Sequence, residues 1–342
     1  IEEDLIEEVA RIVGYTQLPT TPPLAPITAK IRKESVRGPF ALRRSLAALG
    51  YQETINFSFV EEPWEHELAG NPNPLKLLNP IASQMSVMRT SLLGSLLQVL
   101  KFNLDRKADR VKVFELGRVF LRDKAVQDSD STVAGLNQPM RVSGVAYGPL
   151  ATTSWGGKVR HVDFFDVKGE LEALLAPAKP EFLAAEHPAM HPGRCASVKL
   201  NGELVGYVGE LHPRWRQSWD LQHAPIMFEL DLEAVMQRVV PVAQGVARFQ
   251  AVERDIAVIV AEKVSHSELM AAIHEAPTES LLRSAVLFDV FRPQATLGIE
   301  KSLAVRLSLY SEEATLTEVQ IDATVKAVLD HLALKLSARL RT

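Results

Sequence analysis

Apolar residues recur at helical spacing over residues 1–14, where Leu5, Ile6, Val9 and Val13 share a face, acids fill the first turn and Gly14 ends the run. This predicts a helix, read as the tail of an upstream domain over residues 1–15. Prolines between Leu18 and Pro26 then fix φ and remove amide donors, so residues 16–27 are expected to run as an extended linker. A helix is predicted over 32–49, closed by Gly50. Thr54 to Val60 alternates Ile55, Phe57 and Phe59 against polar neighbours, as a half-buried strand does. Further along, the periodicity predicts a helix over 91–104, strands near 111–121 and 141–148, and a helix near 165–176 with Val167, Leu171 and Leu174 on one side. Asn201 and Gly202 stand between two apolar runs, Ala196–Leu200 and Leu204–Val208. That pair suits the two positive φ angles of a type I′ turn, so a hairpin is predicted there. A strand near 226–231 closes this mixed α/β block, assigned to residues 28–237.

The segment from Val239 to Val246 has no helical face and carries both Pro and Gly, which places a linker at 238–245 and a last domain at 246–342. Arg254–Val260 reads as a strand, and Ser265 with Glu268 forms a capping box opening a helix with Leu269 and Ile273 inward. Strands follow at Ala285–Phe291 and at Ser302–Tyr310, the second with Leu303, Val305, Leu307 and Leu309 on one face. Thr317 and Gln320 open a further helix, after which Leu334, Leu336, Ala338 and Leu340 alternate with Lys335, Ser337, Arg339 and Arg341, predicting a final strand. The order β-α-β-β-α-β is the ferredoxin-like arrangement, an antiparallel four-stranded sheet with both helices on one face and the other face open.

The 342 residues make two domain lengths or three, enough to bury cores without disulfides. Hydrophobic residues are 46% and charged residues 23%, and no apolar run reaches the roughly 18 residues of a bilayer span. Lys+Arg 38 against Asp+Glu 42 gives a net charge of −4, so any nucleic-acid binding must be local. The single cysteine, Cys195, excludes a disulfide framework and a Cys-based zinc site, and fits the reducing cytoplasm. Because the chain opens on Ile1 inside a helix, it reads as a piece of a longer polypeptide.

No Gly-rich phosphate loop, HExxH pair, Cys-x-x-Cys or nucleophile elbow occurs. His187, His191 and His212 lie in ordinary loop sequence, with no second ligand a helical step away. Asp4, Glu7 and Glu8 come together at i, i+3 and i+4 on one helix face, where Mg²⁺ finds oxygen ligands; acids in a first turn also simply complement the helix dipole. The open face of the last sheet is a surface on which RNA bases can stack. Residues 246–342 hold 11 Lys+Arg and 13 Asp+Glu, yet the alternation puts Arg306, Lys335, Arg339 and Arg341 on the non-core side. They either contact phosphates or solubilise an exposed sheet.

Longer strings resemble a known family. Ile1-Glu-Glu-Asp-Leu-Ile-Glu-Glu-Val-Ala-Arg-Ile-Val-Gly-Tyr15 is similar to the start of the C-terminal half of the β subunit of bacterial phenylalanyl-tRNA synthetase. In the same order follow Leu78-Asn-Pro-Ile-Ala-Ser-Gln-Met-Ser-Val-Met-Arg-Thr-Ser-Leu-Leu93, Val113-Phe-Glu-Leu-Gly-Arg-Val-Phe120, Asp163-Phe-Phe-Asp-Val-Lys-Gly-Glu-Leu-Glu172, and His191 to Arg194 leading to Val208-Gly-Glu-Leu-His-Pro213. Phe249, Glu253-Arg-Asp-Ile-Ala-Val-Ile-Val260, Leu287-Phe-Asp-Val-Phe-Arg292, Lys301-Ser-Leu303 and Thr315-Leu-Thr317 resemble the family's ferredoxin-fold anticodon-binding domain.

The resemblance implies a non-catalytic, cytoplasmic subunit of an α2β2 ligase that charges tRNA(Phe) with phenylalanine, with ATP bound in the α subunit. It implies that residues 28–237 form a class II synthetase-like core without an active site, packed against α. Arg89 is followed by Thr90 and Ser91 rather than completing Arg-x-Glu, and Val208–Pro213 lacks the late arginine, so the cations that would stabilise adenylate formation are missing. Asp4, Glu7 and Glu8 match three of the family's four Mg²⁺ ligands; the fourth would precede Ile1. The family's editing and oligonucleotide-fold domains are also outside this sequence, so the chain is not expected to edit. In the anticodon domain Gln250 replaces a frequent Pro and Phe291 a frequent Tyr. Candidate RNA contacts are Phe249, Arg254, Arg292, Lys301, Arg306, Lys335, Arg339 and Arg341, with Asp255 pairing Arg254. Two other readings are an interaction or regulatory protein on an inactive synthetase fold, binding a protein or amino acid, and a small-molecule enzyme using His191, Arg194 and His212.

Overall fold

The computed structural model describes residues 1–27, 31, 33–152, 154–243, 248–294 and 298–341, in two units, Ile1–Pro241 and Val242–Thr342. The expected boundaries at 28 and at 245–246 fall outside the described residues.

In the first unit, α1 (Glu2–Val13) forms on its apolar stripe but buries none of its residues. A short turn at Tyr15–Gln17 follows, and then a Pro-rich run without helix or strand. The next helix, α2 (Pro39–Ala48), starts later than the pattern predicts. Pro39 sets the start, since a first-turn residue needs no amide donor and proline already has helical φ. The strand expected over 54–60 is broken: β1 (Gln52–Glu53) and β2 (Phe59–Val60) flank a stretch that leaves the sheet. Asn56 is drawn inward to Glu115, with Nδ2 2.7 Å from Oε2, and this turns Ile55 and Phe57 outward.

The chain continues through α3 (Glu62–Glu67), β3 (Leu75–Lys76), β4 (Val87–Met88), α4 (Leu93–Leu104), β5 (Val111–Arg118), β6 (Leu121–Arg122), β7 (Leu136–Asn137) and β8 (Met140–Tyr147). Then come α5 (Phe164–Leu175), β9 (Glu181–Ala184), β10 (Met190–Leu200), β11 (Glu203–Leu211), α6 (Pro213–Ser218), β12 (Ile226–Asp231) and α7 (Leu232–Met236). Asn201 and Gly202, with φ of 51° and 82°, make the predicted turn between β10 and β11.

Seven strands form one mixed sheet in the order β1-β5-β8-β12-β11-β10-β9, in which β1 and β5 run parallel and the other pairs antiparallel. On one face Leu42 and Leu46 of α2 and Val167 and Leu171 of α5 bury against Phe114 and Phe228. On the other, Leu93, Leu96, Leu97 and Leu100 of α4 bury against Val113, Val145 and Met227. Each such leucine contributes roughly 1.5–3 kcal/mol. That second face also carries a polar row, Glu115, Ser143 and Glu229, opposite one another across three strands. Arg89 enters beside it, 2% exposed, and donates from Nη2 to Glu115 Oε1 at 2.7 Å.

The second unit runs β13 (Val252–Ala261), α8 (His266–His274), β14 (Leu282–Phe291), β15 (Glu300–Leu309), α9 (Glu318–Leu336) and β16 (Arg339–Leu340). Its antiparallel sheet has the order β14-β15-β13-β16, the ferredoxin-like topology. Leu269, Ile273, Ile321, Val328 and Leu332 pack from the helices against Ile256, Val258, Val305 and Leu307. Both predicted capping boxes are present, at Ser265/Glu268 and Thr317/Gln320. The final strand is shorter than predicted. Leu334, Lys335 and Leu336 extend α9, and Ser337 in the left-handed region, φ 52°, ends it. Over so few residues a two-residue and a 3.6-residue period fit the same apolar positions, and the i, i+4 step from Leu332 to Leu336 prevails.

Candidate nucleic-acid interface

Residues directly opposite in an antiparallel sheet point to the same side, so the register sorts the second unit's side chains by face. Ile256, Val258, Val305 and Leu307 turn to the helices. Asp255, Ala257 and Ile259 of β13 lie opposite Arg306, Ala304 and Ser302 of β15, and these meet Val286, Asp289 and Phe291 of β14 on the face without helices. A register shift between Leu287 and Asp289 adds Phe288 to this face. Its ring centre lies 5.4 Å from the Arg306 guanidinium carbon, and the Phe291 ring lies 4.8 Å from that of Arg341. Phe288 and Phe291 are 53% and 46% exposed. Small residues in the centre and two cation-capped rings from the β14 edge give the face flat apolar area beside positive charge, the combination that holds a base and its phosphate.

The charges on this face are largely paired. Arg306 donates from Nε and Nη2 to the two Asp255 oxygens at 2.8 and 2.9 Å, with Glu253 3.6 Å from Nη1. Hydrogen bonds from Arg306 hold the Asp255 carboxyl below the usual carboxylate range, and Asp255 in turn raises the guanidinium's pKa. Arg339 pairs with Glu300. Among the described residues Arg341 has no carboxylate partner.

Other nominated residues lie elsewhere. Arg254 does not pair with Asp255, because adjacent strand residues face opposite sides; it reaches Glu318 at the start of α9, Nη2 to Oε2 3.0 Å. Lys335, on α9 rather than on a strand, pairs with Glu275 at 3.2 Å. Arg292 donates to Glu262 Oε1 at 2.9 and 3.0 Å, and Lys301 Nζ to the Glu262 carbonyl at 2.7 Å. Arg292 also holds the Glu262 carboxyl below its ordinary range. Phe249 is half-buried and precedes β13. Phe288 was not singled out by the sequence; the signal lies in the bulge, which a regular alternation does not reveal.

In the first unit, Asp4 accepts from the Ile1 amino group at 2.7 Å and Glu8 pairs with Arg11. Among the described residues no three His, Cys, Asp or Glu side chains are grouped to hold a metal ion. Carboxylates suit Mg²⁺ as donors, but Asp4, Glu7 and Glu8 alone do not gather into a shell. His191 Nδ1 accepts from Gly193 N at 2.9 Å, His212 Nδ1 accepts from Arg214 N at 3.2 Å to cap α6, and Arg194 pairs with Glu210 at 2.9 Å. The first lies within β10, the second caps α6 and the third joins β10 to β11, so each side chain serves its own strand or helix end.

Residues 18–232 match the family model for the phenylalanyl tRNA synthetase beta chain CLM domain, and residues 247–341 match the ferredoxin-fold anticodon binding domain. The phenylalanine–tRNA ligase beta subunit of Burkholderia lata is 49% identical over 349 residues, covering 100% of this chain and 43% of the relative. Its counterpart from Burkholderia pseudomallei is 48% identical with the same coverage, and that from Bordetella bronchiseptica 44% identical over 350 residues, covering 100% of this chain and 44% of the relative. The chain thus spans less than half the length of these relatives. A solved pyrrolysyl tRNA synthetase from Desulfitobacterium hafniense aligns with a TM-score of 0.40 at 12% identity, covering 59% of this chain and 73% of that one, too loosely to bear on the fold. With a family model covering most of its first unit and a second covering nearly all of its second, the chain belongs to the phenylalanyl tRNA synthetase beta chain family.

Proposed function

We propose that this chain acts within the β subunit of an α2β2 phenylalanyl-tRNA synthetase, binding the anticodon arm of tRNA(Phe) on the helix-free face of its second unit and docking the α subunit through its first. The observation that carries the reading is the open face itself, with Phe288 and Phe291 under the guanidinium groups of Arg306 and Arg341 in a unit that matches an anticodon-binding family. The rings offer stacking surface, and Arg341, without a carboxylate partner among the described residues, offers a phosphate contact.

Catalysis is assigned to the α subunit, where ATP and phenylalanine bind. In support, Arg89 is spent on a buried ion pair with Glu115 and presents no cation to a triphosphate. Asp4, Glu7 and Glu8 are proposed as Mg²⁺ ligands only in a longer chain that supplies further oxygens. The site of action is the cytoplasm, where the buried, reduced Cys195 is at home.

The test is binding of the chain to a tRNA(Phe) anticodon stem-loop over a salt series, with a scrambled loop as control. Anticodon-dependent binding that weakens as salt rises supports the reading. Equal binding to both loops, or none at low salt, overturns it and favours an interaction protein on the same fold.

A further inference from the structure

On the open face of the second unit three side chains meet across neighbouring strands, Phe288 of β14, Arg306 of β15 and Asp255 of β13. Arg306 and Asp255 lie directly opposite in the register, and Nε and Nη2 of the first donate to Oδ1 and Oδ2 of the second at 2.8 and 2.9 Å. Two parallel hydrogen bonds from a planar fork to a planar carboxylate bring both groups into one plane and fix its rotation. The two side chains are 48% and 47% exposed, so the pair lies on the sheet with about half its surface open. The Phe288 ring, its centre 5.4 Å from the guanidinium carbon, backs the pair from the β14 side.

An arginine on an RNA-binding surface ordinarily meets phosphates, and Arg306 is poorly placed for that. Asp255 already answers its charge, and Glu253 stands 3.6 Å from Nη1, the remaining terminal nitrogen. Hydrogen bonds from Arg306 hold the Asp255 carboxyl below the usual carboxylate range, so the pair stays ionised at neutral pH. The rest of the face does not make up a positive field, because Asp289 and Glu300 share it with Arg339 and Arg341, and Glu300 pairs with Arg339. Turning Arg306 to a phosphate would leave Asp255 and Glu253 unanswered beside the RNA. A guanidinium has a second use, since bases stack on its plane as they do on aromatic rings. Hydrogen bonds to a carboxylate lie within that plane and leave its faces free.

We propose that Arg306 is a stacking platform for an unpaired base of the anticodon loop, and that Asp255 is the positioning residue that holds the guanidinium flat and cancels its charge. This rests on the reading of the second unit as the anticodon-binding half, and adds how its open face chooses a loop. Bases in a loop have faces to offer, whereas bases in a duplex are already stacked, and a neutral platform gives a bare phosphate backbone little hold.

The test compares Arg306→Lys, which keeps the charge and loses the plane, with Arg306→Gln/Asp255→Asn, which loses both charges and keeps two planar amides opposite each other. Binding of the chain to the tRNA(Phe) anticodon stem-loop is followed by fluorescence anisotropy over a salt series, and thermal midpoints, expected to be unchanged for so exposed a pair, check folding. Arg306→Lys is expected to weaken binding about tenfold, the effect of losing one base stack, with the salt slope unchanged. The double variant is expected to stay within about threefold of wild type at the same slope. If Arg306→Lys binds as tightly as wild type and the double variant loses about one phosphate contact from the slope, Arg306 is a phosphate ligand. That result overturns the platform and leaves the anticodon reading standing. If both variants bind as wild type does, Arg306 touches no RNA and the platform is equally overturned. A wild-type chain that binds neither the cognate nor a scrambled loop, or both alike, removes the anticodon reading and the platform with it.

Discussion

Arg89 Nη2 lies 2.7 Å from Glu115 Oε1 with the two side chains 2% and 3% exposed, and Gly117 leaves room for both. A Cβ on Gly117 would stand 2.4 Å from Arg89 Nη2 and 2.8 Å from Glu115 Oε1. Replacing Arg89 by Met leaves a buried carboxylate with Asn56 as its remaining side-chain partner, and the expected loss is about 3–5 kcal/mol by urea unfolding. The double variant Arg89→Met/Glu115→Leu should recover most of it. Gly117→Ala should cost about 1–3 kcal/mol through overpacking. A loss below about 1 kcal/mol for Arg89→Met would show that the pair is not structurally demanding.

Glu229 gives the first unit a pH dependence. Its carboxylate accepts from Leu92 N at 2.6 Å and Ser91 Oγ at 3.0 Å, but burial outweighs these bonds and the nearby arginines and raises its pKa above 4.5. A carboxyl with a raised folded pKa binds protons more readily in the native state. Its contribution therefore falls as pH rises from 4.5 through the folded value, and stays reduced above it. Glu229→Gln keeps an oxygen for both donors, so it should flatten that slope and be at least as stable as wild type at pH 7. A Gln variant clearly less stable at pH 7, with the slope intact, would refute this account.

On the RNA face, Asp255→Asn releases the Arg306 guanidinium from its carboxylate. Anticodon-arm binding should tighten, and the salt dependence should steepen by about one phosphate contact. Phe288→Ala should cost about 1–3 kcal/mol of binding if a base stacks there. Fluorescence anisotropy at several salt concentrations separates the two, since loss of stacking lowers affinity without changing the salt slope.

Thr317 caps α9 by accepting from Gln320 N while Gln320 Oε1 accepts from Thr317 N. Thr317→Ala should lower stability by about 1 kcal/mol. Lys335→Ala should change stability by less, because its pair with Glu275 is exposed. Chemical denaturation of the two variants side by side checks the order.

The ferredoxin-like order was legible because local signals agreed: strict alternation from Leu303 to Leu309 and a capping box before each helix. The sequence also located the hairpin at Asn201 and Gly202. What it did not disclose depends on distant pairing. Residues 54–58 alternate like a strand, yet the inward pull of Glu115 on Asn56 decides their path. Whether a cation sits on the open face follows from register. Arg254 and Asp255 are neighbours that serve opposite sides, and Phe288 joins the face through a bulge set against β15. For Lys335 the local signal was ambiguous, and helix propagation from Leu332 decided it.

Glu262 holds Arg292 through its carboxylate and Lys301 through its carbonyl, so the stretch between them is closed at both ends by one residue. The entropy of closing such a stretch grows only with the logarithm of its length, about 0.6 kcal/mol for each doubling. Insertions between Arg292 and Gly298, before Ile299 and Glu300 join the sheet, would therefore cost little while the clamp holds, and the strands on either side would keep their register. Added sequence there would leave Phe291 and Ser302 where they stand, which makes this connection a site for grafting beside the open face of the sheet.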